Sequence, residues 1–476
     1  MRRGLCVLGL VFLLALAGCS AFDLGGDDEL AEPESNRPDP ATDTLGWEDG
    51  YWWNDSVAVD GSDGLTQAEV AVVKARMMAR LEHLRGYEFE RDVSVRVISR
   101  ETYREQRSGG GGDGQAPAWR EQYWEALFIV GEDTGVEAAF DRLYGSTVIG
   151  YYSNDKIVLV SDDPNDLRVS RATLAHELEH ALQDQHLGLG YSASTRDGRL
   201  AAQSVVEGDA NYVEARYEDS CESGEWDCVT VAERSGGGRS AEYNVGLSVA
   251  SFLPYGEGPM FVSALRERGG WDAVDAAFTD HPQSTAQVIH PAKYPDEAPA
   301  AVSIPDRASG GWSRLETEDG TDRVETVGEA SIYTMFWYAK VVPREHLTSR
   351  NDSVSKYTYR HPFSTGWAGD RLVFYEDGDN QAYVWQSTWE SRAEATEFRQ
   401  AYTDVLAAND ATARGDGVYV IDSGAFEDAF RVVQRGNTVL VVNAPSVDAL
   451  DAVHPVSAGA NASVGTERRP ARSPTA

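Results

Sequence analysis

The run TLAHELEHALQDQH, Thr173 to His186, constrains the chain more than any other stretch, because it fixes a helix and what one face of that helix carries. Leu174, Ala175, Leu178, Ala181 and Leu182 supply apolar residues at helical spacing. Positions four apart share a face, so His176 and His180 can aim two imidazole nitrogens at one ion while Glu177 stands beside them. The competing account is an acidic helix that happens to carry histidines. With nine histidines in the chain, chance yields this spacing in about one chain in seventy of such composition.

Catalytic zinc usually takes three protein ligands and keeps its fourth position for water, so a third ligand is expected downstream. The segment SVVEGDANYVEARYE, part of a helix from about Leu200 to Glu218, offers Glu207 directly after Val205 and Val206. A carboxylate beside two core-facing valines is costly to bury unless it is paired or bound to metal. Asp209 lies about 200° further round the same helix, so it cannot face one ion together with Glu207. Glu207 is the favoured third ligand to join His176 and His180 around Zn2+, with Asp209 the alternative candidate, and Glu177 stands where a general base is needed. A donor for the developing oxyanion is also required, and His290 and Tyr294 in QVIHPAKY and Tyr255 in FLPYGEG are the candidates.

HELEH followed on a second helix by EGDAN resembles the gluzincin type of zinc metallopeptidase. TLAHELEHALQDQH, VVEGDA, FVSALRERGGWDAVDAAF, STAQVIHPAKY and GWAGDRLVFY further resemble a family of haloarchaeal surface lipoproteins with a predicted metallopeptidase domain, over roughly residues 147–445. The resemblance implies a zincin-like core, peptide hydrolysis and the ligand and base roles given above. Gluzincins often place an acid four residues after the ligand glutamate to orient a histidine. Asn211 occupies that position here, and Asp209 and Asp184 are the alternatives for the same supporting role.

The surrounding pattern is α+β. Leu65 to Leu84 reads as a helix and VSVRVIS as a strand, while STVIGYYSNDKIVLVS gives a hairpin around Ser153-Asn154-Asp155 ahead of the motif helix. The last third gives RLVFYEDGD and QAYVWQSTW joined at Asp377-Gly378-Asp379, a helix from about Arg392 to Leu406, then GVYVI and TVLVVNAP. Trp367, Trp385 and Trp389 are expected to pack in a core or groove. The expected organisation is a signal over 1–19, an acidic tether over 20–46, a metallopeptidase domain over 47–330, a C-terminal α+β subdomain over 331–456 and a disordered tail over 457–476.

The chain opens MRRGLCVLGLVFLLALAGCS, with Arg2-Arg3 before an apolar run and Leu16-Ala17-Gly18-Cys19 after it. This resembles a lipoprotein signal, which implies lipidation of Cys19, loss of Cys6, and a body held on the outer face of the cytoplasmic membrane. The paired arginines suggest the twin-arginine export route. In that oxidising setting Cys221 and Cys228 are expected to form a local disulfide. The net charge is -35 and only five lysines occur, a surface similar to those of salt-loving archaea, whose self-repulsion concentrated salt screens. No basic patch for nucleic acid is present, and anionic lipid would repel the body, so peptide or protein substrate is the expected partner. A catalytically silent surface lipoprotein with a binding or envelope-structural role is the rival reading, and the intact Glu177 argues against it. A solute-binding lipoprotein would need two similar α/β lobes, which the sequence lacks.

Overall fold

The structure, a computed structural model, describes residues 12–13, 40, 44–110, 116–162, 168–231 and 243–456. Cys19, nearly all of the expected signal and tether, and the tail after residue 456 lie outside the described residues. What is described is mixed α+β.

Thr66 and Glu69 close a capping box at the start of the helix Gln67–Arg85, each side chain reaching the other's backbone N–H. Gly86 ends that helix with φ 85°, a left-handed conformation that glycine adopts without penalty. The strands Val148–Ser153 and Lys156–Ser161 form the expected hairpin. Its two-residue turn is built on Asn154 and Asp155, both with positive φ, as the twist of a hairpin favours. Ser94–Ser99 pairs in parallel with Lys156–Ser161.

The motif helix, Arg171–His186, starts at Ser170, whose hydroxyl accepts from the Thr173 N–H. It lies close over the hairpin at Gly150: a Cβ there would stand 3.2 Å from Glu177 Oε1. Beside it runs a 27-residue helix, Arg196–Glu222, capped by Thr195. This long helix crosses the helix Gly258–Ala277 in backbone contact, and a Cβ on Gly208 would meet the Gly258 carbonyl oxygen at 2.5 Å. At its far end Cys221 and Cys228 are disulfide-bonded, with Cα atoms 5.6 Å apart. Between them Trp226 is buried beneath the Arg80 guanidinium, 4.8 Å from its ring centre.

The C-terminal part is an antiparallel sheet. Its spatial order is Thr412–Gly415, Val418–Ile421, Asp428–Arg435, Thr438–Ala444, Asn380–Trp389, Trp367–Asp377 and Ser313–Arg314, with Val324–Glu325 also on Trp367–Asp377. Successive side chains serve opposite faces. Leu372 and Phe374 join the core shared with the helix Arg392–Ala408, while Val373 and Tyr375 join a second core with Leu450 and Val453. Trp367, Trp385 and Trp389 are buried in the first core, and Trp385 meets Phe398 edge-on at 5.4 Å. That core also takes in Trp124, Leu247 and Tyr333 from helices Ala118–Ala126, Val245–Gly256 and Gly328–Tyr338. The boundary expected after residue 330 falls inside the last of these helices, so one continuous core joins the two regions.

Candidate metal centre

His176, His180 and Glu207 converge in the interior, all three with no exposed surface. The Nε2 atoms of the two histidines are 3.1 Å apart, and Glu207 Oε2 lies 3.3 Å from His176 Nε2 and 3.4 Å from His180 Nε2. Ligand atoms about 2.0–2.1 Å from a shared tetrahedral centre stand roughly 3.3–3.4 Å from one another, so these spacings fit a first-row ion. Two imidazoles and a carboxylate, without thiolate, form a donor set that could hold such an ion.

The outer nitrogens strengthen this reading. His176 Nδ1 faces Glu214 Oε2 at 3.2 Å, and His180 Nδ1 faces Gln183 Oε1 at 2.9 Å. Both are acceptors, so the network assigns a proton to each Nδ1 and turns each Nε2 lone pair into the centre. Two lone pairs facing each other at 3.1 Å repel unless a proton or a cation lies between them. Burial opposes the His176 imidazolium, yet hydrogen bonds to Glu207 and Glu214 outweigh it and lift the group to about 10. Burial would raise Glu207, and hydrogen bonds from the same two histidines draw it down to about 2. Metal binding here must therefore displace a proton.

Glu177 is buried next to this trio, and neither of its carboxylate oxygens has a hydrogen-bond partner among the described residues. Burial pushes it up to about 7 against the pull of His176 and His180, which suits a base working near neutrality. Tyr255 is also at the site: its ring lies 6.3 Å from that of His176. Burial holds its proton well above the usual phenol range.

The other expected residues lie elsewhere. Asn211 spends its amide on the Glu207 carbonyl oxygen, 2.7 Å away on its own helix, and does not orient a histidine. Asp184 accepts from the Tyr152 hydroxyl at 2.8 Å. Asp209 acts one step further out, accepting from Gln183 Nε2 at 3.0 Å. His290 pairs with buried Glu329 at 2.9 Å, and the Tyr294 hydroxyl donates to the Asp280 carbonyl oxygen at 2.6 Å. The residues that do hold the histidines are Glu214 and Gln183. Glu214 follows Glu207 by seven residues, which brings it back to the same helix face, and Gln183 follows His180 by three.

Behind the site Arg85 is buried among three acids. Its Nε lies 3.3 Å from Asp209 Oδ2 and 3.6 Å from Glu179 Oε1, its Nη2 reaches Asp275, and its guanidinium lies 4.1 Å from the Trp271 ring centre. A chain of contacts thus runs from Arg85 through Asp209 and Gln183 to His180. Glu214 and Tyr255 also line a cavity of about 570 Å³, together with Ile149, Thr173 and the segment Asp352–Tyr357.

A family model described as a domain of unknown function (DUF8575) matches residues 314–454, less than a third of the chain, and none of the three candidate ligands falls within it. No curated protein and no solved structure matches the chain.

Proposed function

We propose that the chain is a zinc-dependent peptidase with a zincin-like core, its ion held by His176, His180 and Glu207. The observation that carries this reading is the 3.1 Å approach of two Nε2 atoms whose Nδ1 atoms are already engaged, next to a buried carboxylate without a hydrogen-bond partner among the described residues. When bound, zinc acidifies water and polarises a carbonyl. Glu177 takes the proton of the attacking water and later passes it to the leaving amine. Tyr255 keeps its proton through burial and can donate to the oxyanion. Glu214 and Gln183 hold the imidazole rings in the tautomer that presents Nε2. The 570 Å³ cavity is of a size to take a few side chains of an extended peptide.

Protein purified in molar KCl is expected to carry one zinc per chain and to cleave a mixed peptide library, with activity lost on chelation and restored by zinc. The salt matters because a net charge of -35 is left unscreened in dilute buffer. Glu214→Ala should weaken zinc binding by about 10- to 100-fold while the chain still folds, since Glu214 is partly exposed and among the described residues it meets the site at His176. Full zinc occupancy with no cleavage across a broad library would instead favour a binding or envelope-structural lipoprotein.

The sequence Leu16-Ala17-Gly18-Cys19 before an acidic tether supports attachment to the outer face of the membrane through lipid on Cys19. No helix among the described residues is long and apolar enough to cross a membrane. Cys19→Ser should move the protein from washed membranes into the soluble fraction. Retention of that variant on the membrane would refute the anchor.

A further inference from the structure

A second cavity, of about 830 Å³, opens between the helix Ala118–Ala126, the loop that follows Val130 and the chain entering the strand Asp428–Arg435. Its described lining carries six carboxylates, Glu121, Glu125, Glu132, Asp379, Glu427 and Asp428, and no lysine, arginine or histidine. Three of them converge, with one oxygen each from Glu125, Glu132 and Asp428 within 4.8 Å of the others.

Acidic side chains gather readily on so acidic a chain, so the independent sign is Gln122. It is 1 % exposed and lines this cavity one helical turn before Glu125. Its Nε2 donates to the Tyr375 carbonyl oxygen at 3.4 Å, but its Oε1 is buried with no partner among the described residues. A buried amide oxygen left unpaired is costly, and a cation held in this cavity by the carboxylates would give it a partner. The loop is also held in place. The Glu132 N–H donates to the Ala425 carbonyl oxygen at 2.9 Å, and a Cβ on Gly131 would stand 2.3 Å from that oxygen. Glu132 is thereby tied to the segment that delivers Asp428, which in turn accepts from Asn443 Nδ2 at 2.7 Å.

We propose that Glu125, Glu132, Asp428 and Gln122 Oε1 bind a hard divalent cation, with calcium the best match. All donors are oxygen, which selects against zinc and for calcium, magnesium or manganese. Calcium accepts six to eight oxygens in irregular geometry and can complete its shell with water from the open side, whereas magnesium demands a near-ideal octahedron. Bound calcium would clamp the helix Ala118–Ala126 to the C-terminal sheet, and this holds whether or not the chain is a peptidase.

The test uses the full zinc-loaded chain in molar KCl, with calcium, magnesium or manganese chloride added up to about 100 mM, roughly a hundredfold above the millimolar end of weak extracellular calcium sites. Calcium at a hundredfold excess over its dissociation constant should raise the melting temperature by about 3 °C or more while zinc content stays constant. Glu132 is exposed, so Glu132→Gln should fold normally and is the decisive variant, with Asp428→Asn beside it. Both should weaken calcium binding at least tenfold. No shift with any of the three ions, a shift with magnesium alone, or an unchanged calcium response in Glu132→Gln would overturn the proposal.

Discussion

Glu177→Gln should retain zinc and melt no lower than the wild type, yet hydrolyse peptides at least about a hundredfold more slowly, the usual scale of general acid–base catalysis. The amide is nearly isosteric with the carboxylate. It enters a pocket where both Glu177 oxygens are buried without hydrogen-bond partners among the described residues, so no bond seen there is lost and a buried charge is removed. Zinc is expected to stay because His176, His180 and Glu207 are untouched. What disappears is the proton acceptor that burial holds at about 7. Hydrolysis and zinc content, measured on the same preparation in molar KCl, decide the matter. Equal cleavage by wild type and variant would assign the activity to a contaminating protease and remove Glu177 from the mechanism.

Arg85→Met is expected to destabilise the chain by about 3–5 kcal/mol, because breaking a buried ion cluster from one side leaves its other charges uncompensated. Glu179 and Asp209 are both wholly buried, and Arg85 is the cation that faces them together. Burial already raises both acids, with the Arg85 charge working against it, so removing that charge drives them towards protonation at neutral pH. Denaturant midpoints in molar salt measure the loss. The same variant should also bind zinc less tightly, since Asp209 positions Gln183 and Gln183 positions His180. A stability loss below about 1 kcal/mol would mean that Glu179 and Asp209 are held neutral without Arg85, and that the cluster is not an ion network.

The parts of this molecule that were legible in its sequence are those whose signal is local. Four-residue spacing put His176 and His180 together, and two valines ahead of Glu207 marked an acid turned inward; all three are now seen buried within 3.4 Å of each other. The hairpins at Asn154-Asp155 and Gly378-Asp379 were equally plain from turn chemistry. The supporting residues were missed because a four-residue rule led to Asn211, while the long helix returns to the same face after seven residues at Glu214. Arg85 was invisible for another reason: its partners Glu179 and Asp209 lie 94 and 124 positions away, and no periodicity links them. The helix Val245–Gly256 is buried nearly all round and contains Pro254, so it lacks the polar face that identifies a helix. Gly269 and Gly270 likewise break the helical pattern after Gly258.

The contact between Gly208 and Gly258 has a consequence for how this sequence can drift. Neither residue has positive φ, so the requirement is for space alone: a methyl at 208 would stand 2.5 Å from the Gly258 carbonyl oxygen, and one at 258 would stand 2.7 Å from the Ser204 carbonyl oxygen. Every codon change that alters either residue enlarges it, and since the partner is already the smallest residue, no second change there can restore the fit. The crossing sits one position after Glu207, so a helix pushed aside would carry the carboxylate with it. The glycine pair, fifty residues apart, can therefore serve with His176, His180 and Glu207 as a single search pattern for chains that keep the centre intact.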